Sequence, residues 1–137
     1  MSLILVRHAW AGSSDDWDGD DRLRPLDDRG REQAARLPDV LAGVEIQRIV
    51  SSPYLRCVQT VEPLARALEL AVEQTPELAE EHQHDQGPSL LAALLSEDAV
   101  ACVHGGIDEA LGFDRRFRKG AVWIFRDDLR HPEVLVD

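Results

Sequence analysis

Two short apolar runs are the feature of this sequence that most constrains its fold. Residues 2–6 (Ser-Leu-Ile-Leu-Val) and residues 99–103 (Ala-Val-Ala-Cys-Val) are apolar at almost every position. A strand with one solvated face alternates apolar and polar side chains, whereas a strand covered on both faces does not. We therefore expect both runs to be buried strands of a parallel sheet.

The rest of the chain alternates predicted helices with predicted strands. Apolar spacing, caps and breakers predict helices over residues 29–42, 53–68 and 88–96, with Asp27 and Asp28 as caps of the first helix and Gly43 as its stop. Pro38 and Pro63 should kink or bend their helices. Further strands are expected over residues 45–51, 70–73, 121–125 and 133–136, with loops over residues 10–24 and 75–87. This order predicts a single α/β domain over residues 1–137, with a mainly parallel sheet.

Charge is distributed unevenly along the 137 residues. The chain has 15 Lys and Arg against 26 Asp and Glu, a formal net charge of −11. Residues 10–28 hold seven Asp and two Arg, and residues 77–98 hold six acidic residues with no Lys or Arg. Because nucleic-acid binding needs clustered cations, a nucleic-acid partner is disfavoured. We expect any phosphate chemistry to use a small, local cationic site.

The remaining composition argues for a protein of a reducing compartment. The apolar run at the N-terminus is too short for a signal segment, and no stretch has the roughly 18–20 apolar residues of a membrane span. Two cysteines, Cys57 and Cys102, do not make a disulfide framework. We expect a cytoplasmic location and no membrane partner.

Unusual residues follow three of the predicted strands. The first strand ends in Arg7 and His8, the second leads into a helix whose first turn carries Arg56, and residues 99–103 are followed by His104 and Gly105. Ligands of open α/β sheets bind at the C-terminal ends of strands. Two arginines and two histidines that converge there would suit a phosphoryl group, because guanidinium groups bind phosphate oxygens bidentately.

These residues resemble the motifs of the histidine phosphatase (phosphoglycerate mutase-like) superfamily. The motifs are Val6-Arg7-His8-Ala9, Ser51-Ser52-Pro53-x-x-Arg56-x-x-x-Thr60 and His104-Gly105. Two further elements are similar to the compact SixA-like phosphohistidine phosphatase branch, namely Arg24-Pro25-Leu26-x-x-x-Gly30-x-x-Gln33-Ala34 and Lys119-Gly120-Ala121-x-Trp123. The resemblance implies a three-layer α/β/α sandwich with no large cap insertion, since the chain advances only 48 positions from Arg56 to His104.

The resemblance also implies a covalent mechanism without metal or organic cofactor. His8 would be the nucleophile that accepts the phosphoryl group, and Arg7, Arg56, His104 and Gly105 would bind the phosphoryl oxygens. Glu80, in the context Leu78-Ala79-Glu80, is the expected proton donor, with Glu77 and Glu81 as alternatives.

The substrate is expected to be a phosphohistidine, such as one carried on a protein, or another accessible phosphomonoester. Alternatives left open are a nucleotide or sugar phosphatase of the same superfamily and a phospholigand-binding module with little turnover. A metal hydrolase using Glu81, His82, His84 and Asp85 is a further alternative, because alternate imidazoles of an extended segment can chelate zinc.

Two surface features complete the predicted site. Trp10 and Trp17 flank it in the sequence, whereas Trp123 should pack among the last strands. The acidic segments 10–28 and 77–98 both follow strands that lead to the site. We expect them to form a negative rim that repels polyanions but admits a single phosphoryl group.

Overall fold

The computed structural model describes all residues from Met1 to Asp137 as six strands and four helices around one sheet. The strands are β1 (Leu3–Arg7), β2 (Arg48–Ser51), β3 (Val72–Gln74), β4 (Ala99–Val103), β5 (Val122–Phe125) and β6 (Glu133–Val136). The helices are α1 (Asp28–Val40), α2 (Leu55–Leu68), α3 (Gln83–Leu94) and α4 (Ile107–Ala110), with single 3₁₀ turns at Ser14–Asp16, Asp21–Leu23 and Pro76–Leu78.

The sheet has the strand order β3-β2-β4-β1-β5-β6, and its parallel core confirms the predicted fold class. Strands β3, β2, β4 and β1 are parallel to one another, whereas β5 pairs antiparallel with β1 and β6 pairs antiparallel with β5 at one side of the sheet. The expected strands 99–103 and 133–136 have the observed bounds, and the others differ by one to three residues at an end.

Helices cover both faces of this sheet, so the predicted three-layer arrangement is confirmed. Ile4 and Val6 of β1 belong to a core that includes side chains of α1 and α2. Leu3 and Leu5 of the same strand belong to a second core with side chains of α3 and α4. Every residue of β4 is fully buried, which explains why its sequence shows no polar alternation.

Helices α1 and α2 both continue past the prolines at which a kink or bend is expected. Helix α1 continues past Pro38 to Val40, and α2 continues past Pro63 to Leu68. A proline inside a helix removes one backbone donor. Because Pro38 lies near the end of α1 and the Leu41 N–H still bonds the Leu37 carbonyl at 3.0 Å, the helix continues over the missing bond.

Helix α3 begins at Gln83, so the expected loop over residues 75–87 is wrong in its second half. The buried Gln83 side chain anchors the first turn, since it accepts from the His104 N–H at 3.0 Å and donates to the Gly105 carbonyl at 2.9 Å. This contact between residues about 21 positions apart has no local signal in the sequence. None of the four helices is long and apolar enough to cross a bilayer.

Gly30 provides a test of how α1 packs on the loop that follows β1. Replacing a helical glycine with alanine ordinarily stabilises a helix by about 1 kcal/mol. Here a Cβ at residue 30 would lie 1.9 Å from the Trp10 carbonyl oxygen. Because that oxygen belongs to the backbone, relieving the clash requires the backbone to shift, which costs free energy. We expect Gly30→Ala to lower the free energy of unfolding by about 2–3 kcal/mol in urea titrations. Glu32→Ala, an exposed change in the same helix, should alter it by no more than about 0.5 kcal/mol. An unchanged or more stable Gly30→Ala protein would contradict this packing.

Candidate active site

The parallel pairing of the central strands brings the three predicted strand ends together. Arg7 at the end of β1 pairs in register with Val103 of β4, and Ser51 of β2 pairs with Cys102 of β4. The residues that follow these strands therefore lie side by side at one edge of the sheet. They include His8, Arg56 and His104, as the sequence predicts.

His8 is buried and holds one ring nitrogen free. Its backbone N–H donates to the Val103 carbonyl at 3.0 Å, which ties the residue to β4. The Nδ1 atom lies 2.8 Å from the Ala9 carbonyl oxygen, and since that oxygen is only an acceptor, Nδ1 carries the proton. Nε2 is then the unprotonated nitrogen. Burial, followed by the positive charges of Arg56 and Arg7, lowers the pKa of His8 to about 3.

Arg7 lies against the backbone of Gly105 at the edge of the site. Its Nη1 donates to the Phe117 carbonyl at 2.9 Å, and burial lowers its pKa. A Cβ at residue 105 would lie 2.7 Å from the Arg7 Cζ atom. Gly105 is thus the residue that leaves room for the guanidinium group beside His8.

Arg56 is almost fully buried, and two loops hold its guanidinium group. Nη1 donates to the Asp21 carbonyl at 2.8 Å, and Nη2 lies 3.1 Å from the Asp21 carboxylate and 3.2 Å from that of Glu80. Thr60, one helical turn after Arg56, links α2 to the loop after β1. The Thr60 hydroxyl donates to the Arg56 carbonyl at 2.7 Å and accepts from the Ala9 N–H at 3.0 Å.

His104 is fully buried behind His8 and is not part of the cavity wall. The two imidazole centroids are 5.5 Å apart, and the Nε2 atom of His104 forms a 2.8 Å hydrogen bond with the Ser52 hydroxyl. Burial, together with the neighbouring His8, Arg56 and Arg7, lowers the pKa of His104 to about 2. Both histidines are therefore neutral near pH 7.

A cavity of about 910 Å³ opens to solvent above His8. Its wall includes the predicted residues Arg7, His8, Arg56, Glu80 and Gly105. It also includes three cations that were not predicted from the ends of the strands, namely Arg24, Arg116 and Lys119. Arg24 and Lys119 belong to the motifs quoted for the family resemblance, whereas Arg116 had no signal in the sequence.

The expected acidic rim is wrong in its composition. The segment 10–28 contributes Trp10, Gly12, Ser13, Ser14 and Arg24 to the cavity wall, and none of its seven aspartates. From the segment 77–98 only Glu80 is present, and the other wall carboxylates come from residues 108–114. Many carboxylates of these segments are instead engaged locally, as in the ion pairs of Asp20 with Arg22 and of Glu97 with Arg48.

The remaining predicted residues lie outside the cavity wall. Glu77 accepts a hydrogen bond from the Thr75 hydroxyl, and Glu81 accepts one from the Tyr54 hydroxyl at 2.9 Å. Trp17 donates to the Asp20 carbonyl, and Trp123 is fully buried, as expected for a core residue. The run from Glu81 to Asp85 spans the start of α3, and no three His, Cys, Asp or Glu side chains gather there as metal ligands.

The chain is similar to known proteins in sequence and in fold. The model of the histidine phosphatase superfamily (branch 1) matches residues 3–89. The chain is 41% identical over 80 residues to an 8-oxo-(d)GTP phosphatase of Mycolicibacterium smegmatis, in a match covering 58% of this chain and 25% of that protein. It is 34% identical over 82 residues to the phosphohistidine phosphatase SixA of Escherichia coli, which covers 57% of this chain and 49% of that one. The matched region thus spans half or less of these curated relatives.

A solved structure extends the similarity to nearly the whole fold. The structure of the protein histidine phosphatase SixA complexed with tungstate superposes with a TM-score of 0.77 at 26% identity. The superposition covers 98% of this chain and 94% of the other.

The two buried histidines predict a specific sensitivity to acid. Their folded-state pKa values of about 3 and about 2 lie below the ordinary value of 6.5, so the unfolded chain binds more protons as the pH falls below 6.5. The contribution of the two histidines to the free energy of unfolding is therefore fully present above pH 6.5. It is lost as the pH falls toward 3, by up to about 1.4 kcal/mol per pH unit for each histidine. We expect His8→Gln to make the decline between pH 7.5 and pH 5 shallower in urea titrations. His84→Gln, at an exposed position, should leave the slope unchanged, and equal slopes for all three proteins would refute the assignment.

Proposed function

The chain belongs to the histidine phosphatase superfamily (branch 1), and we propose that it removes a phosphoryl group from its substrate through a covalent phosphohistidine on His8. The observation that carries the proposal is the state of His8, a buried neutral imidazole with Nε2 unprotonated, beside the guanidinium groups of Arg7 and Arg56 at one cavity. A neutral imidazole is the form that can attack phosphorus.

The reaction has two displacement steps in this proposal. The Nε2 lone pair of His8 forms a bond to phosphorus as the bond from phosphorus to the leaving group breaks. Water then attacks the phosphorus, the P–N bond breaks, and inorganic phosphate and neutral His8 are released. Arg7 and Arg56 stabilise the charge that spreads over the phosphoryl oxygens, and the burial of these two side chains strengthens this interaction.

We assign the binding of the phosphoryl oxygens first to the two arginines, Arg7 and Arg56. Gly105 contributes by leaving room for the Arg7 guanidinium group. His104 forms a 2.8 Å hydrogen bond with the Ser52 hydroxyl and is absent from the cavity wall, so the proposal gives it no direct contact with a phosphoryl oxygen. Arg56 has its Nη2 shared between Asp21 and Glu80, so an incoming phosphoryl group competes with these carboxylates.

The shape of the site supports either a phosphohistidine or a small phosphomonoester as substrate. The cavity opens to solvent, and the short span between Arg56 and His104 leaves no segment to cover it. The two curated relatives illustrate both classes, since one is named for phosphohistidine and the other for a nucleotide. The alternative is a phospholigand-binding module, in which the same cavity binds a phosphorylated ligand but does not hydrolyse it.

Trapping of the intermediate separates a phosphatase from a binding module. Brief incubation with a ³²P-labelled phosphodonor should yield a labelled protein that is stable to base and labile to acid, because a P–N bond has that behaviour. We expect His8→Ala to abolish the label, whereas His84→Ala, at an exposed histidine, should keep it. A protein that binds phosphate with no label on His8 would refute the covalent mechanism and favour the binding module.

Glu80 is proposed as the proton donor because, of the three predicted glutamates, it alone lines the cavity. Its carboxylate, 3.2 Å from Arg56, would accept the proton of an incoming phosphate ester and pass it to the leaving oxygen. An alkoxide is a poor leaving group and needs a proton, whereas the labile P–N bond of a phosphoramidate needs less help. We expect Glu80→Gln to lower kcat for an alkyl phosphate by roughly 100-fold and kcat for phosphoramidate by less than about fivefold. Glu77→Gln and Glu81→Gln serve as controls and should change neither rate by more than about twofold. Equal losses on both substrates would show that Glu80 only positions Arg56.

A further inference from the structure

A second cavity, of about 470 Å³, adjoins the catalytic one and is lined by five cations. These cations, which we call the cationic lobe, are Arg7, Arg29, Arg116, Arg118 and Lys119. The two cavities share Arg7, Trp10, Arg116 and Lys119 in their walls, so they lie next to each other. Asp137 is the only carboxylate residue of the lobe wall.

The cationic lobe differs from the rest of the protein in having no ion pairs. Of the ten other Lys and Arg residues, nine have a carboxylate oxygen within 4.0 Å, and Arg130 is the exception. None of the five lobe cations has such a partner, and Asp137 pairs with Arg115 instead. In a chain with 26 acidic and 15 basic residues, acidic partners are abundant. Five of the six unpaired cations are thus gathered at one place, next to His8.

The lobe is also held close to the nucleophile. The Gly120 N–H donates to the carbonyl oxygens of His8 and Arg7 at 3.1 and 3.2 Å, which fixes Lys119 beside the end of β1. Two lobe cations lie against the Trp10 ring, with Arg29 4.1 Å and Lys119 4.5 Å from the ring centroid. Burial and the like charges of Arg7 and Arg24 lower the pKa of Lys119, as expected for crowded cations.

Crowded cations without partners repel one another, and an anion between them removes that repulsion. We propose that the cationic lobe is the subsite for a second anionic group of the substrate, a phosphate or a carboxylate, bound while the scissile phosphoryl group lies at His8. The inference rests on the proposed function and narrows its substrate class to phosphorylated compounds with two anionic groups. It replaces the expectation that the mouth of the site repels additional negative charge.

Three ligands that cannot be hydrolysed test the subsite without turnover. Methylphosphonate has one anionic group, phosphonoacetate adds a carboxylate, and methylenediphosphonate adds a second phosphonate. Isothermal titration calorimetry at low salt should show at least one of the two larger ligands binding about tenfold or more tightly than methylphosphonate, since hydrogen bonds to charged groups are strong. Comparing these two ligands distinguishes a carboxylate from a phosphate as the second group.

The variant pair Arg29→Gln and Arg118→Gln, combined in one protein, removes two lobe cations that do not line the catalytic cavity. We expect the double variant to reduce the advantage of the larger ligands to less than about threefold, with the affinity for methylphosphonate unchanged. Each single variant, Arg29→Gln or Arg118→Gln, is compared with Arg130→Gln, which removes the same single positive charge from an exposed, unpaired arginine outside the lobe.

Three results would overturn the subsite. One is equal affinity of the three ligands for the unmodified protein. Another is a tighter binding of the larger ligands that persists in the double variant. A loss of this tighter binding in Arg130→Gln as large as in the single lobe variants would likewise overturn the subsite, since the tighter binding would then reflect the net charge of the protein. These binding results do not depend on phosphoenzyme formation, so a failure of the covalent mechanism remains distinguishable from a failure of the subsite.

Discussion

The pairing of β1 with β4 is the constraint on which the rest of the molecule depends. Both strands are buried on two faces, so their five-residue register is set by two cores at once. That register places Arg7 opposite Val103 and carries the chain into His8 on one strand and His104 and Gly105 on the other. A slip of one residue would exchange the faces of every side chain in the strand and would separate the two histidines.

Much of this arrangement can be predicted from the sequence because it depends on local pattern. The apolar run of β4 predicts its bounds, and the residues after β1, β2 and β4 predict that His8, Arg56 and His104 meet. Prediction fails where a distant contact decides the structure. The start of α3 depends on Gln83 bonding the backbone of residues 104 and 105, and the hold on Arg56 depends on Asp21 in a loop 35 positions away.

The distribution of charge along the chain can also be read from the sequence, whereas the pairing of charged side chains cannot. The sequence reveals two acidic segments, but only the folded chain shows that several of their carboxylates are engaged by nearby arginines. The feature that bears on function is the set of cations that remains after this pairing. Arg29 belongs to α1, whereas Arg116, Arg118 and Lys119 lie between α4 and β5, so no single window of sequence contains the cationic lobe.

The two carboxylates on Arg56 have a consequence for product release. A buried guanidinium group that loses an anion is left uncompensated, which is costly and slows departure of the anion. In this site the carboxylates of Asp21 and Glu80 lie 3.1 and 3.2 Å from Nη2. Within the proposed cycle, departing inorganic phosphate is replaced by groups of the protein itself. In that cycle Arg56 would alternate between these two carboxylates and the phosphate, and the carboxylates would limit inhibition by the released phosphate.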